Sequence, residues 1–526
     1  MMMSKTSTNC AGDRSVILAA VCLAALTLPL SFSGGAVATP AIGRDLGGDP
    51  VALNSITNAF MLPFGGLQMA SGALADEYGR KRVFTIGVGL LTVVSLALSF
   101  APDVLVLDLL RALQGVAAAT MAGGAASLAQ EFEGHARTRA YSMLGTTFGI
   151  GLAFGPLMAG YLTDTFGWRS IFVATAMTAL LALVFGVPRM RESRDPNSAG
   201  LDWPGTLTFT GALSLFTFGI IQAPESGWSS PLVSGLLSGA ATLLIAFVVI
   251  ETRIARPMLD LSLFRCSRFV GVQVLPIASC YCYVVLLILL PLRFIGIEGF
   301  NEIDAGVLML ALSSPMLVVP ALAAWLVRRV SAGIVSGVGL LIAAAGLLMF
   351  SRVGLGASSY ALVMPMLLIG FGTGLPWGLM DGLSISLVPK ERAGMAAGIF
   401  NTTRVAGEGI ALAIVGAILS ALSQAALHGV LPDANEQVSA RIMASAARLA
   451  TGDLGAAAKV LPEISRAALS QGYAQAFQNL LYILIAITIL AALAVFCLLG
   501  REPAAVAGKD VPGPRFDEHR GRSRLE

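Results

Sequence analysis

Fourteen long apolar stretches constrain the fold of this chain more than any other feature of its sequence. A helix needs roughly 20 residues to cross about 30 Å of hydrocarbon, and each stretch meets that length. Only helices satisfy all their backbone groups internally in lipid, so we predict an all-α integral membrane protein. The stretches are 16–40, 52–74, 83–101, 104–130, 138–163, 168–188, 204–223, 231–251, 269–294, 304–327, 333–351, 359–388, 393–422 and 476–499.

Composition excludes several other classes of protein. Charged residues make up 12% of the chain, against about 25% in soluble domains, so a lipid bilayer is the expected surrounding. The net charge of +3 does not indicate a nucleic-acid partner. The six cysteines and three histidines form no metal, disulfide or catalytic pattern, and no GxxxxGK[ST] loop occurs. We therefore expect no cofactor, no metal and no enzymatic activity.

Loop charges predict the orientation in the membrane. With the N-terminus inside, Arg and Lys concentrate in the even-numbered loops. The short odd-numbered loops hold Arg44, Arg169 and Arg352, with Arg293 at a helix end. Cytoplasmic loops are the ones enriched in Lys and Arg, so both termini are predicted to be cytoplasmic. The basic clusters lie at 80–82, 137–139, 189–194, 253–268, 328–329 and 390–392.

These patterns predict a division of the chain into blocks. The insertion at 423–475 would lie outside the cell, and its stretch EQVSARIMASAARLA spaces apolar residues like a one-sided helix. Two roles remain open for this insertion: a helical cap on the outer surface or a gating element. The blocks are a cytoplasmic N-terminus 1–15, a six-helix bundle 16–188, a linker 189–202, two further helices 203–252, a linker 253–268, a second six-helix bundle 269–499 that contains the insertion, and a disordered cytoplasmic tail 500–526.

The charged stretch GALADEYGRKR (72–82) joins the second and third apolar stretches. Glycine's freedom suits the tight reversal at Gly79, and the cations suit the cytoplasmic side. Taken alone, these cations are also explained as anchors that keep the loop on the cytoplasmic side. Their spacing nevertheless resembles the cytoplasmic loop motif of the major facilitator superfamily, from which Glu77 departs. The resemblance implies a cytoplasmic gating loop formed by Gly72, Asp76, Gly79, Arg80 and Lys81.

Two further motifs of the same family follow in order. LDLLRALQGVAAA (107–119) resembles its fourth-helix motif, and GLAFGPLMAG (151–160) resembles its fifth-helix antiporter motif. Small residues at such spacings let helices approach closely, and a proline bends a helix. The second motif matches at Gly151, Gly155, Pro156 and Gly160, while Ala159 replaces one glycine.

The number of stretches resembles the 14-helix drug/proton antiporter branch of the family, over roughly residues 14–500 and weakly over 423–475. That likeness implies a major facilitator fold of two six-helix halves plus two extra central helices. It implies a proton-coupled antiporter in the bacterial inner membrane, exporting amphipathic, cationic drugs by alternating access. A dedicated exporter of a self-made siderophore or antibiotic is the alternative, and a membrane receptor is a third. Protons and a small-molecule substrate are the expected partners, and the sequence is compatible with a monomer.

Charges inside apolar stretches are functional candidates. Arg111 and Asp108 are three residues apart and share one helical face. The antiporter branch carries a carboxylate on its first helix where this chain has Ser31, so Asp108 is a candidate to supply the missing charge. A helix-capping role for Asp108 is equally open. Asp164, near an outer helix end, is a further embedded carboxylate.

The second charged group lies towards the end of the chain. Glu408 follows Arg404 at the spacing of a same-face ion pair, and Asp381 lies on the preceding apolar stretch. A carboxylate removed from water binds a proton more readily, which suits a proton carrier. Either Glu408 and Arg404 form a closed structural pair, or Asp381 pairs with Arg404 and leaves Glu408 free.

Five residues are candidates to line a substrate cavity, although ordinary helix packing explains each of them as well. Met and aromatic side chains suit a promiscuous apolar pocket. The candidates are Ser31, Asn58, Phe60, Gln114 and Trp377.

Overall fold

The computed structural model describes residues 3–121, 124, 127–128, 131–132, 134–194, 202–254, 261–386, 393–432 and 435–500. Within those ranges every regular element is a helix, as predicted. The predicted tail 500–526, apart from Gly500, and the central parts of both predicted linkers lie outside the described residues.

Nineteen α-helices are numbered here in chain order. They are α1 (Met3–Leu46), α2 (Pro50–Gly66), α3 (Gln68–Tyr78), α4 (Arg80–Leu98), α5 (Val104–Ala119), α6 (Gly134–Phe166), α7 (Arg169–Gly186), α8 (Trp203–Ser226), α9 (Pro231–Arg253), α10 (Ser267–Ser279), α11 (Val285–Pro291), α12 (Glu302–Ser313), α13 (Val319–Leu326), α14 (Ala332–Phe350), α15 (Ser359–Ser386), α16 (Ala393–Val430), α17 (Glu436–Ala450), α18 (Leu454–Val460) and α19 (Arg466–Leu499). Two π-helical segments, Cys280–Val284 and Leu292–Ile297, continue α10 and α11.

Eleven helical segments of the described chain are long and apolar enough to cross a membrane. Three predicted stretches are not among those eleven. The stretch 52–74 is divided at Leu67 between α2 and α3. The stretch 104–130 is described as a continuous helix only for the 16 residues of α5, and 138–163 lies within α6. A count of fourteen spans therefore stays a prediction.

Short polar side chains and glycines set the helix ends. Asp49 caps α2 by accepting a hydrogen bond from the Ala52 amide at 2.7 Å, and Asp103 caps α5 by accepting from Val106 at 2.8 Å. Such caps satisfy amides that have no partner within the helix. Between α3 and α4 the chain reverses at Gly79, whose φ of +114° is readily accessible to glycine.

The helices form two groups. In the N-terminal group, α1 packs against α6 and α7, α2 packs against α5, and α4 packs against α5 and α7. In the C-terminal group, α14 packs against α15 and α19, while α10 and α16 also pack against α19. We call the contact surface between the two groups the seam. It is formed mainly by α2 against α16 and by α6 against α12.

At the seam the backbones come very close. A Cβ atom on Gly65 of α2 would lie 2.7 Å from the backbone nitrogen of Ala406 on α16. Such an approach between helices needs small residues. One end of the seam also carries an ion pair, in which Arg44 of α1 contacts Glu302 of α12 at 2.5 Å.

The two central helices lie beside the seam. Helix α8 packs against both α2 and α16, whereas α9 packs mainly against α8. Thr210 of α8 donates to the Gly66 carbonyl at 3.2 Å, and Ile220 and Ile221 of α8 pack against Ala413 and Ala417 of α16. Helix α8 thus spans the boundary between the two groups.

Helices α17 and α18 cover the Arg44 end of the seam, which we call the capped end. The one-sided apolar spacing of residues 436–450 forms α17, which buries Ile442, Ala446 and Leu449. Arg448 of α17 donates to the Gly48 carbonyl of the N-terminal group at 3.0 Å. Within the predicted insertion 423–475, residues up to Val430 continue α16 and residues from Arg466 begin α19.

A buried ion pair holds the C-terminal group together at that end. Arg293 and Glu298 contact each other at 2.7 Å with side chains only 4% and 3% exposed. The guanidinium lies 5.2 Å from the Phe350 ring centroid and 5.0 Å from that of Phe477. This cluster fixes the π-helical segment Leu292–Ile297 against α14 and α19.

Glu298→Ala is expected to lower the free energy of unfolding by about 3 kcal/mol or more, because it leaves a buried guanidinium without its counter-charge. Chemical unfolding of the purified protein in detergent measures the change. The matched control is Glu463→Ala, which breaks the half-exposed pair of Arg441 and Glu463 and should cost less than about 1 kcal/mol. Equal losses for the two variants would contradict this interpretation.

Candidate functional site

Arg111 is the most deeply buried cation among the described residues of the N-terminal group, with no exposed surface. Its Nε donates to the Ile56 carbonyl at 2.9 Å, and its Nη1 donates to Gln114 Oε1 at 2.6 Å. The guanidinium lies 4.7 Å from the Phe60 ring centroid. Its Nη2 is buried and has no hydrogen-bond partner. A buried N–H group that lacks an acceptor costs free energy, because it has lost its hydrogen bonds to water.

Asp108 lies one helical turn from Arg111 on α5. It does not cap that helix, because Asp103 does; this removes one of the two interpretations open from the sequence. The carboxylate is partly buried, and its Oδ1 is fully buried without a hydrogen-bond partner. Among the described residues it forms no ion pair with Arg111 or any other cation.

Most of the predicted cavity residues of the N-terminal group surround Arg111. Ser31 and Gln114 are 2% and 0% exposed, and Gln114 Nε2 lies 3.5 Å from the Ser31 hydroxyl. Phe60 is stacked on Phe64 at a centroid separation of 5.6 Å. Asn58 lies at the seam, where it lines two small adjoining cavities near the capped end together with α16.

In the C-terminal group Arg404 is partnered from two helices. Its Nη1 donates to Asp381 Oδ1 of α15 at 3.3 Å, and its Nη2 donates to Asn401 Oδ1 at 2.9 Å. The Asp381 side chain is 60% exposed. Of the two arrangements open from the sequence, the structure therefore has the pairing of Arg404 with Asp381.

Glu408 lies one turn further along α16 and is partly buried. In the described part of the chain its carboxylate forms no hydrogen bond or ion pair, although Arg404 and Cys280 lie within electrostatic reach. Cys280 begins the π-helical segment Cys280–Val284, and such segments occur frequently at functional sites. Trp377 lies near this segment, with its ring 6.2 Å from that of Tyr283.

The 72–82 loop is docked on its own helix group. Glu192, beyond α7, accepts from the Lys81 amide at 3.2 Å and lies 3.7 Å from Arg82 Nε. Lys81 Nζ donates to the Met190 carbonyl at 2.8 Å. The Arg80 amide donates to the Ser193 carbonyl at 2.9 Å. Gly72 lies on α3 with open space beside it. Asp76 lies on α3 as well, and its side chain is outside the described part.

The antiporter-motif glycines place α6 against helices on both sides. A Cβ on Gly151 would lie 2.3 Å from Pro29, and one on Gly155 would lie 2.5 Å from the Ser33 hydroxyl, so both face α1. Gly160 faces the seam, where a Cβ would lie 2.2 Å from the Glu302 carbonyl oxygen. Pro156 lies between these contacts, inside α6.

Sequence reasoning missed the buried pair of Arg293 and Glu298. These residues are five positions apart, which is the i to i+5 relation of a π-helix and not an α-helical same-face spacing. The only sequence signal that could have indicated this pair is the position of the two charges at the end of an apolar stretch. In the described part of the chain, no three His, Cys, Asp or Glu side chains are placed to hold a metal ion.

Multiple apolar helices in two groups that meet at a seam define a multi-pass membrane protein, with embedded charges in both groups. The chain belongs to the Major Facilitator Superfamily, whose family model matches residues 21–412. It is therefore a member of a transporter family and not of an enzyme family.

Relatives at about one-third identity have names that refer to drug resistance or antibiotic export. The chain is 31% identical to Multidrug resistance protein Stp of Mycobacterium tuberculosis, over 74% of this chain and 73% of that one. It is 32% identical to Puromycin resistance protein pur8 of Streptomyces alboniger, over 76% and 80%. It is also 32% identical to Cephamycin export protein CmcT of Amycolatopsis lactamdurans, over 78% and 85%.

Solved structures share the fold at low sequence identity. A bacterial homolog to the human lysosomal transporter Spinster, in an inward-facing and unoccupied conformation, superimposes with a TM-score of 0.62 at 14% identity, covering 93% of this chain and 97% of that one. A POT family transporter in complex with 5-aminolevulinic acid gives 0.60 at 13% identity, covering 92% and 96%.

Proposed function

We propose that the protein is a proton-coupled antiporter that exports amphipathic, cationic drugs or antibiotics across the bacterial inner membrane. The names of its relatives support drug or antibiotic transport. The observation that carries proton coupling is the carboxylate of Glu408, which lies near the middle of α16 without a partner in the described residues, while Asp381 neutralises Arg404. An embedded carboxylate without a counter-charge is suited to take up and release a proton.

Transport would proceed by alternating access between two six-helix halves, 16–188 and 269–499, with 203–252 as two extra helices. With the predicted fourteen spans and both termini in the cytoplasm, the capped end would lie outside. There the Arg44–Glu302 ion pair and the Arg448–Gly48 hydrogen bond join the two helix groups. We infer that this conformation is closed to the outside. A monomer is sufficient for this mechanism.

The 72–82 loop has hydrogen-bond partners in its own helix group. Its backbone and its lysine bond to residues 190–193, while α3, which carries the first part of the loop, also packs against α16 of the other group. We propose that the loop exchanges these partners for the C-terminal half when the outer end opens.

A proton flux assay with purified protein in liposomes tests the proposal. A pH gradient is imposed, a cationic dye is added, and proton movement and dye counterflow are both recorded. We expect the dye to dissipate the gradient only in liposomes that contain the protein. Dye exchange that is unaffected by the gradient would contradict proton coupling, and the absence of both signals across a panel of amphipathic compounds would contradict drug export.

A dedicated exporter of a self-made antibiotic is the second candidate. Serine at position 31 and the similarity to a cephamycin export protein favour it. Growth of a sensitive host on a compound panel separates the two: broad resistance indicates general drug export, whereas resistance to one compound class indicates a dedicated exporter.

A further inference from the structure

Two complementary groups on α5 are both left without partners. Arg111 Nη2 and Asp108 Oδ1 are buried, neither has a hydrogen-bond partner, and their residues are three positions apart on one helical face. Buried polar groups in folded proteins are almost always hydrogen-bonded. A donor and an acceptor left open one turn apart indicate a second arrangement of the same side chains, in which they bond to each other.

Three contacts hold the guanidinium away from Asp108. Arg111 donates to the Ile56 carbonyl and to Gln114 Oε1, and it packs on the Phe60 ring. On its remaining side a Cβ on Gly35 of α1 would lie only 2.8 Å from Nη2. The side chain is therefore held in one position by α1, α2 and α5 together.

Ser95 of α4 determines how Gln114 can serve Arg111. Gln114 Nε2 donates to the Ser95 hydroxyl at 2.9 Å, and both residues are fully buried. With its amide nitrogen engaged by Ser95, Gln114 presents its oxygen to the guanidinium. Without Ser95, little would fix that orientation, because the Ser31 hydroxyl is 3.5 Å away, at the limit of a hydrogen bond.

We propose that Ser95, acting through Gln114, is a positioning residue that keeps Arg111 apart from Asp108 while Asp108 is protonated. When Asp108 releases its proton to water, the carboxylate accepts a hydrogen bond from Arg111 Nη2, and the guanidinium leaves Gln114. Arg111 stays charged in both arrangements, so one proton is exchanged per cycle of this pair. The assignment rests on the proton coupling proposed above and makes Asp108 one of its sites.

Few other charges act on Asp108. Among the described residues, Asp49, between α1 and α2, and Arg111 are the charged groups within electrostatic reach of its carboxylate. Helix α2 has no charged residue, and the three cations of α4 lie at its start, far along the helix from Ser95. Arg448 reaches the neighbouring Gly48 carbonyl from the cap. The contact with Arg111 is therefore the main feature of the charge environment of Asp108 that can change.

Infrared titration of Asp108 in the purified full-length protein tests the proposal. The carboxylic acid C=O band of Asp108 is identified by its loss in Asp108→Asn and followed against pH. Ser95→Ala weakens the open arrangement by about one hydrogen bond, so the titration midpoint should move down by roughly half a pH unit or more. The low-pH side of the pH profile of the transport rate should move in the same direction.

Two further variants complete the test. Thr92→Ala removes a hydroxyl that, among the described residues, donates to the Val88 carbonyl of the same helix, so the midpoint of this variant should equal that of the wild type. Ser95→Thr keeps the hydroxyl and should restore the wild-type midpoint. A Ser95→Ala midpoint that is unchanged or raised would overturn the inference. Because the infrared titration needs no transported compound, it can be read even if the proposed export fails.

Discussion

Glu408→Gln is expected to abolish proton-driven export, whereas Asp381→Asn should only reduce it. Glutamine keeps the size and polarity of Glu408 but cannot carry a proton, so we expect a loss well beyond tenfold, which corresponds to about 1.4 kcal/mol. Asp381 is instead the partner of Arg404, and its side chain is 60% exposed. An exposed pair is worth less than about 1 kcal/mol, so Asp381→Asn should cost less than about fivefold. Efflux from liposomes under a fixed pH gradient measures both.

Exchange without a gradient distinguishes a lost proton site from a damaged substrate site. Glu408→Gln should still exchange labelled dye for unlabelled dye, because that exchange needs no net proton movement. The control is Glu463→Gln, which alters an exposed pair on the cap and should behave as the wild type. Normal gradient-driven export by Glu408→Gln would refute the assignment of Glu408 as a proton carrier.

Gly160→Ala is expected to reduce transport by about tenfold or more, whereas Gly149→Ala on the same helix should have little effect. A Cβ on Gly160 would lie 2.2 Å from the Glu302 carbonyl oxygen, and the backbone cannot move away as a flexible side chain can. Overpacking of this kind costs about 1–3 kcal/mol. A Cβ on Gly149 would lie 3.6 Å from the Met316 carbonyl oxygen, which is an ordinary contact.

Efflux rates per amount of protein in the membrane test this comparison. Both variants must first be shown to reach the membrane in wild-type amount, so that a rate change reports the seam and not expression. Similar rates for the two variants would show that close approach at Gly160 is not required for transport.

Much of the fold follows from the sequence, because lipid permits few backbone arrangements. All fourteen predicted stretches fall largely on helices where they are described. The break at Leu67 was not predicted, since no Pro or Gly at that position marks it, although Gly65 and Gly66 directly precede it. The lengths of α16 and α19 also exceeded the prediction, because helices continue past the apolar boundary once α17 and α18 pack against them.

The candidate site was only partly predictable, because its contacts join helices distant in sequence. Arg111, Gln114 and Asp108 were found as embedded polar residues of one stretch. The contact of Gln114 with Ser95 depends on how α4 packs against α5, and no local pattern encodes it. The pairing of Arg404 with Asp381 was one of two predicted options, and interhelical packing decided between them. The role of each residue stays a prediction.

Helix α8 has a mechanical consequence for any swing of the two groups. It touches both, so a relative rotation must shear one of its two interfaces. Towards α16 that interface includes isoleucines packed on alanines, whereas towards α2 it includes the hydrogen bond from Thr210 to Gly66. A hydrogen bond has to break before two helices slide, whereas apolar contacts can slide past each other. We therefore expect α8 and α9 to move together with the N-terminal group, while the C-terminal group slides along them.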